Sequence, residues 1–278
     1  MARSGFHVLG LSVWPFTTSV SILGLVYAIL CWINEVDIMC GLNMVSSEAF
    51  MFCYLFSSVG LLVMSLTLWW SDVIKEGLYL GCHTSLVVRG FRLGMFFFLL
   101  SEGAFFFSFF WAFFYYKIGT NSEEMPWPPE GIVVVDFAGI PLLNTVLLVS
   151  SGVTVTWALK AAKHYNRDET LKGLFFSIFL GGIFTCFQAK EYYECYFTMM
   201  DGIYGSLFFM MTGFHGLHVL IGSLFLTIMF FRCLLGHFKK PFNYFGLEAS
   251  IWYWHFVDIV WILLYLFVYC WGSLSYFN

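Results

Sequence analysis

Long apolar runs alternate with short polar breaks along this chain. A spanning helix needs about 20 mostly apolar residues. Seven runs qualify, at roughly 16–34, 45–70, 88–116, 140–162, 171–195, 201–234 and 246–272. Several exceed 25 residues, which predicts tilt or extension beyond the bilayer. The longest break, Lys117–Gly139, contains MPWPPEG at 125–131. Pro126, Pro128 and Pro129 remove backbone donors and fix φ there, so the break is not one continuous helix. The pattern predicts an all-α membrane protein, a single polytopic domain over 1–278 with no internal repeat and no soluble domain.

Composition agrees. The chain is 60% hydrophobic, has a mean hydropathy of +0.81 and carries only 11% charged residues. Soluble domains carry about 25%. A net charge of −4 suggests no nucleic-acid partner. The eight cysteines form no CxxC pair and are expected as small buried hydrophobes. MARSGFHVLGLSVWPF has no small-residue cleavage site, so the first run is expected as a retained helix.

Loop charge then gives an orientation. With seven spans, Arg3, Lys75, Arg89, Arg92, Lys160, Lys163, Arg167, Lys172, Arg232, Lys239 and Lys240 fall on one side, and only Lys117 and Lys190 on the other. By the positive-inside rule the N-terminus is inside and the C-terminus outside. The outer loops are acidic, with Glu35, Asp37, Glu123, Glu124, Glu130, Asp136, Glu191, Glu194 and Asp201.

Ionisable residues at membrane depth are functional candidates. FFFLLSEGAFFFSFFWAFFYY, residues 96–116, contains one charge, Glu102. At 100° per residue, Gly94, Ser101, Ala104, Ser108 and Ala112 share a stripe that could admit a neighbouring helix, with Glu102 at its edge. Glu102 is expected to be mostly protonated, either exchanging protons or hydrogen-bonded to a neighbouring helix. In GFHGLH, His215 and His218 are three apart on one face. They suit helix-to-helix hydrogen bonds or, less specifically, a metal or haem. In EASIWYWHFVDIVW, Glu248, His255 and Asp258 form a polar stripe, and the last two can pair. QAKEYYE, 188–194, has the tyrosine content of an interfacial anchor. In WWSDVIKEGLYLGCHT, the cation Lys75 and His83 stand beside Trp69 and Trp70, and Arg232 and His237 lie at the same inner level, a composition suited to an anionic phospholipid.

WWSDVIKEG, RLGMFFFLLSEGAFFFSFFWAFFYY, PWPPEGI, PLLNTVLLVSSG, QAKEYYE, DGIYGSLFFMMTGFHGLHVLIGS and LEASIWYWHFVDIVWILLY together resemble subunit III of cytochrome c oxidase. The resemblance covers residues 69–278; before that only Trp14-Pro15 and a Ser/Thr-rich helix start are familiar. It implies seven transmembrane helices in two bundles, 16–70 and 88–272, forming a V-shaped cleft that holds phospholipid (cardiolipin, phosphatidylglycerol or phosphatidylethanolamine). It implies no redox centre or metal in this chain, haem and copper in partner subunits, and support of proton uptake and sustained turnover in the catalytic subunit. The partners implied are that haem–copper subunit, the other oxidase subunits, membrane lipids and a respiratory supercomplex. The location implied is the mitochondrial inner membrane.

Residue by residue, the family's membrane glutamate corresponds to Glu102. Its lipid contacts correspond to Trp69, Trp70, Lys75, Glu76, His83, Trp111, Arg232 and His237. His215, His218, Glu248, His255 and Asp258 are expected as a structural polar network. Ser71 and Lys75 stand where the family often has Arg, and Cys82 where it has a first His. Lys offers a point charge and no planar fork, so headgroup binding should differ. From the residues alone, a haem protein using His215, His218 and His255, and a transporter using Glu102, stay open.

Overall fold

The computed structural model describes residues 5–7, 10–33, 47–119, 127–238 and 244–273; for 47–51 it describes the backbone only. Arg3, Glu35, Asp37, Cys40, Glu123, Glu124, Pro126, Lys239 and Lys240 lie outside the described residues. Seven helices follow in order: α1 Trp14–Ile33, α2 Ser47–Leu78, α3 Ser85–Gly119, α4 Ile140–Lys163, α5 Arg167–Glu194, α6 Gly202–Leu234 and α7 Phe245–Leu264. A π-helical turn, Tyr265–Trp271, continues α7. Each of the seven is long and apolar enough to cross a membrane, and the described residues contain no strand.

The boundaries follow the sequence closely except at α2, which runs to Leu78 where the apolar run ends near 70. Local polar contacts carry it on. Lys75 pairs with Asp72 one turn back at 3.1 Å, and the indole of Trp14 donates to Asp72 at 2.7 Å. Thr84 then caps α3, its hydroxyl accepting from the Val87 amide. Asn166 does the same for α5 through Glu169, with Asp168 and Glu169 in the first turn complementing the helix dipole.

The chain divides into two compact units, Met1–Val87 and Val88–Asn278. In the first, α1 and α2 pack through small and hydroxyl residues, with Thr18 bonded to Ser65 and Tyr27 edge-on to Tyr54. In the second, α4 and α5 approach closely, with Thr154 and Ser177 hydroxyls 2.7 Å apart. Trp254 of α7 is fully buried between α5 and α6. Its ring lies against Gly181 and Gly222, where a Cβ would come within 2.7 and 2.9 Å of ring carbons. Only glycine leaves that slot open.

Helix α3 joins the second unit differently, through large rings. Phe98 stacks on Tyr253, Phe105 meets Phe214 edge-on, Phe106 meets Phe256, and Phe110 and Phe114 meet Phe267. This corrects the sequence expectation. Gly94, Ser101, Ala104 and Ser108 face outward, whereas Phe106, Phe110 and Phe113 are buried. Burial of ring area outweighs close backbone approach on this helix. The cysteines also depart from expectation: Cys31 and Cys233 are buried, but Cys53 and Cys186 are exposed. A membrane protein can leave such apolar side chains on its lipid-facing surface without a solvation penalty.

Candidate functional site

Glu102 stands on the buried side of α3, one turn before Phe106. Its Oε2 lies 3.0 Å from Nε2 of His218, on α6. The other imidazole nitrogen, Nδ1, lies 2.6 Å from the carbonyl oxygen of Phe214. A carbonyl only accepts, so Nδ1 carries a hydrogen and donates it. Nε2 of a neutral ring is then bare, and its contact with Oε2 requires a proton between them. Either the acid donates to the imidazole, or the imidazolium donates to the carboxylate. Both arrangements hold one proton and no net charge. Interconverting them therefore moves no net charge into the apolar interior, where an isolated ion is costly. Phe106 packs edge-on to the His218 ring at 5.0 Å, and Tyr253 stacks at 6.2 Å.

His215 does not join this pair. Its Nε2 donates to the carbonyl oxygen of Val257 on α7 at 3.3 Å, between the rings of Phe184 and Trp261. The two histidines thus tie α6 to two different helices. Glu248 and His255, read as one stripe, also part. Glu248 takes both Nε and Nη2 of Arg92 on one oxygen, Oε2, each at 2.9 Å, joining α7 to α3. His255 contacts Thr156 of α4 at 3.1 Å and Asp258 at 3.5 Å. Gly152 of α4 makes room for that pair, since a Cβ there would lie 2.7 Å from the Asp258 carboxylate. Among the described residues, no group of three or more His, Cys, Asp or Glu side chains gathers as a metal cluster.

The proposed lipid contacts fall in both units. In the first, Trp69 is half-buried and Trp70 exposed near the end of α2. Lys75 is engaged by Asp72, Glu76 faces His7 at 3.5 Å, and the His83 ring lies against Gly77. In the second, Trp111 is exposed on α3. Arg232, at the end of α6, has its guanidinium 5.4 Å over the Phe238 ring and a contact to the Met229 sulfur. No ion pair found among the described residues includes it, and its Nε is buried with no hydrogen-bond partner. Burial and the neighbouring Arg232 charge lower the pKa of His237 below its usual 6.5.

Several pairings are not visible in the sequence. Arg92 and Thr156 are paired only by the fold. QAKEYYE, read as an interfacial anchor, splits: Tyr193 is exposed, but Gln188 and Glu191 are buried and Tyr192 donates to Thr212 of α6. The available signal was spacing, since Gln188 and Glu191 are three apart on one helical face.

Fold and site together define a multi-pass, all-helical membrane protein with a carboxyl–imidazole pair at membrane depth. The sequence profile of the family described as cytochrome c oxidase subunit III matches residues 4–273. Among curated relatives, cytochrome c oxidase subunit 3 of Drosophila melanogaster is 44% identical over 269 residues, 96% of this chain and 97% of its own. The protein of the same name from Anopheles gambiae is 44% identical over 273 residues, 98% of each chain. That of Lemur catta is 44% identical over 274 residues, 98% of this chain and 94% of its own. The chain belongs to the cytochrome c oxidase subunit III family, and is a subunit of that oxidoreductase complex with its other subunits as partners. The match begins at residue 4, so it includes the first two helices as well as the region 69–278 that carries the resemblance.

Proposed function

We propose that this chain is a non-redox core subunit of a mitochondrial cytochrome c oxidase. It supports proton uptake and sustained turnover in a haem–copper subunit that passes electrons from cytochrome c to O2 with proton pumping. It sits in the inner membrane with its N-terminus in the matrix and its C-terminus in the intermembrane space, as the eleven-to-two split of Lys and Arg supports. The single observation that carries the reading is the Glu102–His218 pair, a proton-holding group at membrane depth. In the assembled oxidase, Glu102→Gln should leave haem spectra and electron transfer to O2 intact while slowing proton uptake. Complete loss of electron transfer in that variant would contradict the reading.

Phospholipid is proposed as the ligand of both units: Trp69, Trp70, Lys75, Glu76 and His83 in one, Trp111, Arg232 and His237 in the other. The uncompensated Arg232 guanidinium supports this, because a phosphate supplies the missing bidentate partner. Cardiolipin, phosphatidylglycerol and phosphatidylethanolamine all present such a group. Arg232→Gln should lower the bound phospholipid found by mass spectrometry of the purified complex; unchanged lipid content would remove Arg232 from the site.

A further inference from the structure

A second carboxyl, Glu191, is sealed inside the five-helix unit near the end of α5, with 3% of its surface exposed. Its Oε1 receives two donors: the Tyr269 hydroxyl at 2.5 Å and Nε2 of Gln188 at 3.2 Å. Its Oε2 is buried and has no partner. Gln188 in turn receives Asn144 of α4 at 3.5 Å, and the Oδ1 of Asn144 is likewise buried without a partner. Tyr269 belongs to the π-helical turn that ends α7. Such turns re-aim side chains out of the α-helical register, often at functional sites.

The titratable groups on which a charge at Glu191 would act are Tyr269 of the π turn, and Tyr192 and Cys195 at its own helix end. Each is neutral or, when ionised, negative. No ion pair found among the described residues includes Glu191, and its burial within this chain leaves no surface for a cation from another subunit. A carboxylate here would be a buried ion with no counter-charge, which is far costlier than the neutral acid. The donor pattern matches the acid atom by atom. The carbonyl oxygen of a carboxylic acid accepts, and Oε1 accepts twice. The hydroxyl oxygen donates, and Oε2 is the atom with no donor aimed at it. A hydroxyl on Oε2 needs an acceptor, and a bare Asn144 Oδ1 needs a donor. Buried polar atoms of this kind are met by internal water, which makes about three hydrogen bonds to such groups.

We propose that Glu191 is held as the neutral acid, with its proton on Oε2, and that internal water meets the buried Glu191 Oε2 and Asn144 Oδ1. The site is a closed, hydrated acid distinct from the Glu102–His218 pair. It has no base beside it, so it keeps its proton where the pair can share one.

The test is infrared difference spectroscopy of the assembled oxidase, wild type against Glu191→Gln, in H2O and D2O. The expected result is loss of one carboxylic-acid carbonyl band, shifted in D2O, with no change in carboxylate bands. Loss of carboxylate bands instead would overturn the proposal, as would a band that changes when Na+ replaces K+, which would make the site a cation site. Thermal stability provides a second readout. Glu191→Gln, a neutral isostere, should stay within a few degrees of wild type. A collapse as large as that of Glu191→Leu would show that the charge itself was needed, and would also overturn it. An adverse result here leaves the reading of Glu102 untouched, because the two sites share no residue.

Discussion

Two carboxyls in the same five-helix unit have opposite surroundings. Glu102 meets a base, the His218 imidazole, and keeps about a quarter of its side chain exposed. Glu191 meets only hydroxyl and amide donors and is closed off. The difference teaches that a membrane carboxyl is defined by its partner more than by its depth. A base converts a held proton into an exchangeable one at no cost in net charge. Neutral donors fix the proton in place and turn the carboxyl into part of the packing.

Truncation should separate the two most strongly. Glu191→Leu leaves the Tyr269 hydroxyl and the Gln188 amide unsatisfied in the interior. At about 1–3 kcal/mol for each orphaned group, the loss should be about 4 kcal/mol, read as earlier thermal dissociation of this subunit from the complex. Glu102→Leu orphans only Nε2 of His218, and should cost about 1–2 kcal/mol in the same assay. Equal losses would erase the distinction.

Chemistry should separate them next. His218→Phe removes the base and leaves Glu102 as an ordinary neutral acid. Its reaction with a hydrophobic carbodiimide, which requires the protonated form, should rise severalfold by peptide mass spectrometry. Unchanged reactivity would mean that the imidazole does not hold Glu102's proton.

The smallest effect is one of pH and lies outside the spans. Burial and the Arg232 charge lower the folded pKa of His237 below 6.5. The unfolded chain therefore takes up the proton first as pH falls. The stability contribution is complete above 6.5 and is lost as pH drops through the lower folded value. His237→Gln should flatten a shallow decline in subunit retention below that pH; an identical decline in the variant would assign it to another group.

The spans were legible because bilayer thickness leaves few ways to place an apolar run, and only α2 exceeds its run by more than a few residues. Glu102 was legible as a lone charge among aromatic residues. Its partner was not, since His218 lies 116 residues away and three helices on. The face of α3 differs from the small-residue stripe because the neighbours of α3 offer the rings of Phe214, Tyr253, Phe256 and Phe267, which bury ring against ring. Glu191 was hidden by its tyrosines. Composition marks a stretch as interfacial, but the helical turn sends Tyr193 outward and Gln188 and Glu191 inward.

Carbodiimide labelling of the native oxidase, with every carboxyl of this chain quantified, tests the contrast most directly. Glu102 should be modified first and Glu191 left intact, with Glu248 protected by Arg92 and Asp258 by burial. Labelling of Glu191 at the rate of Glu102, or none at Glu102, would contradict the division between an exchangeable proton and a sealed one.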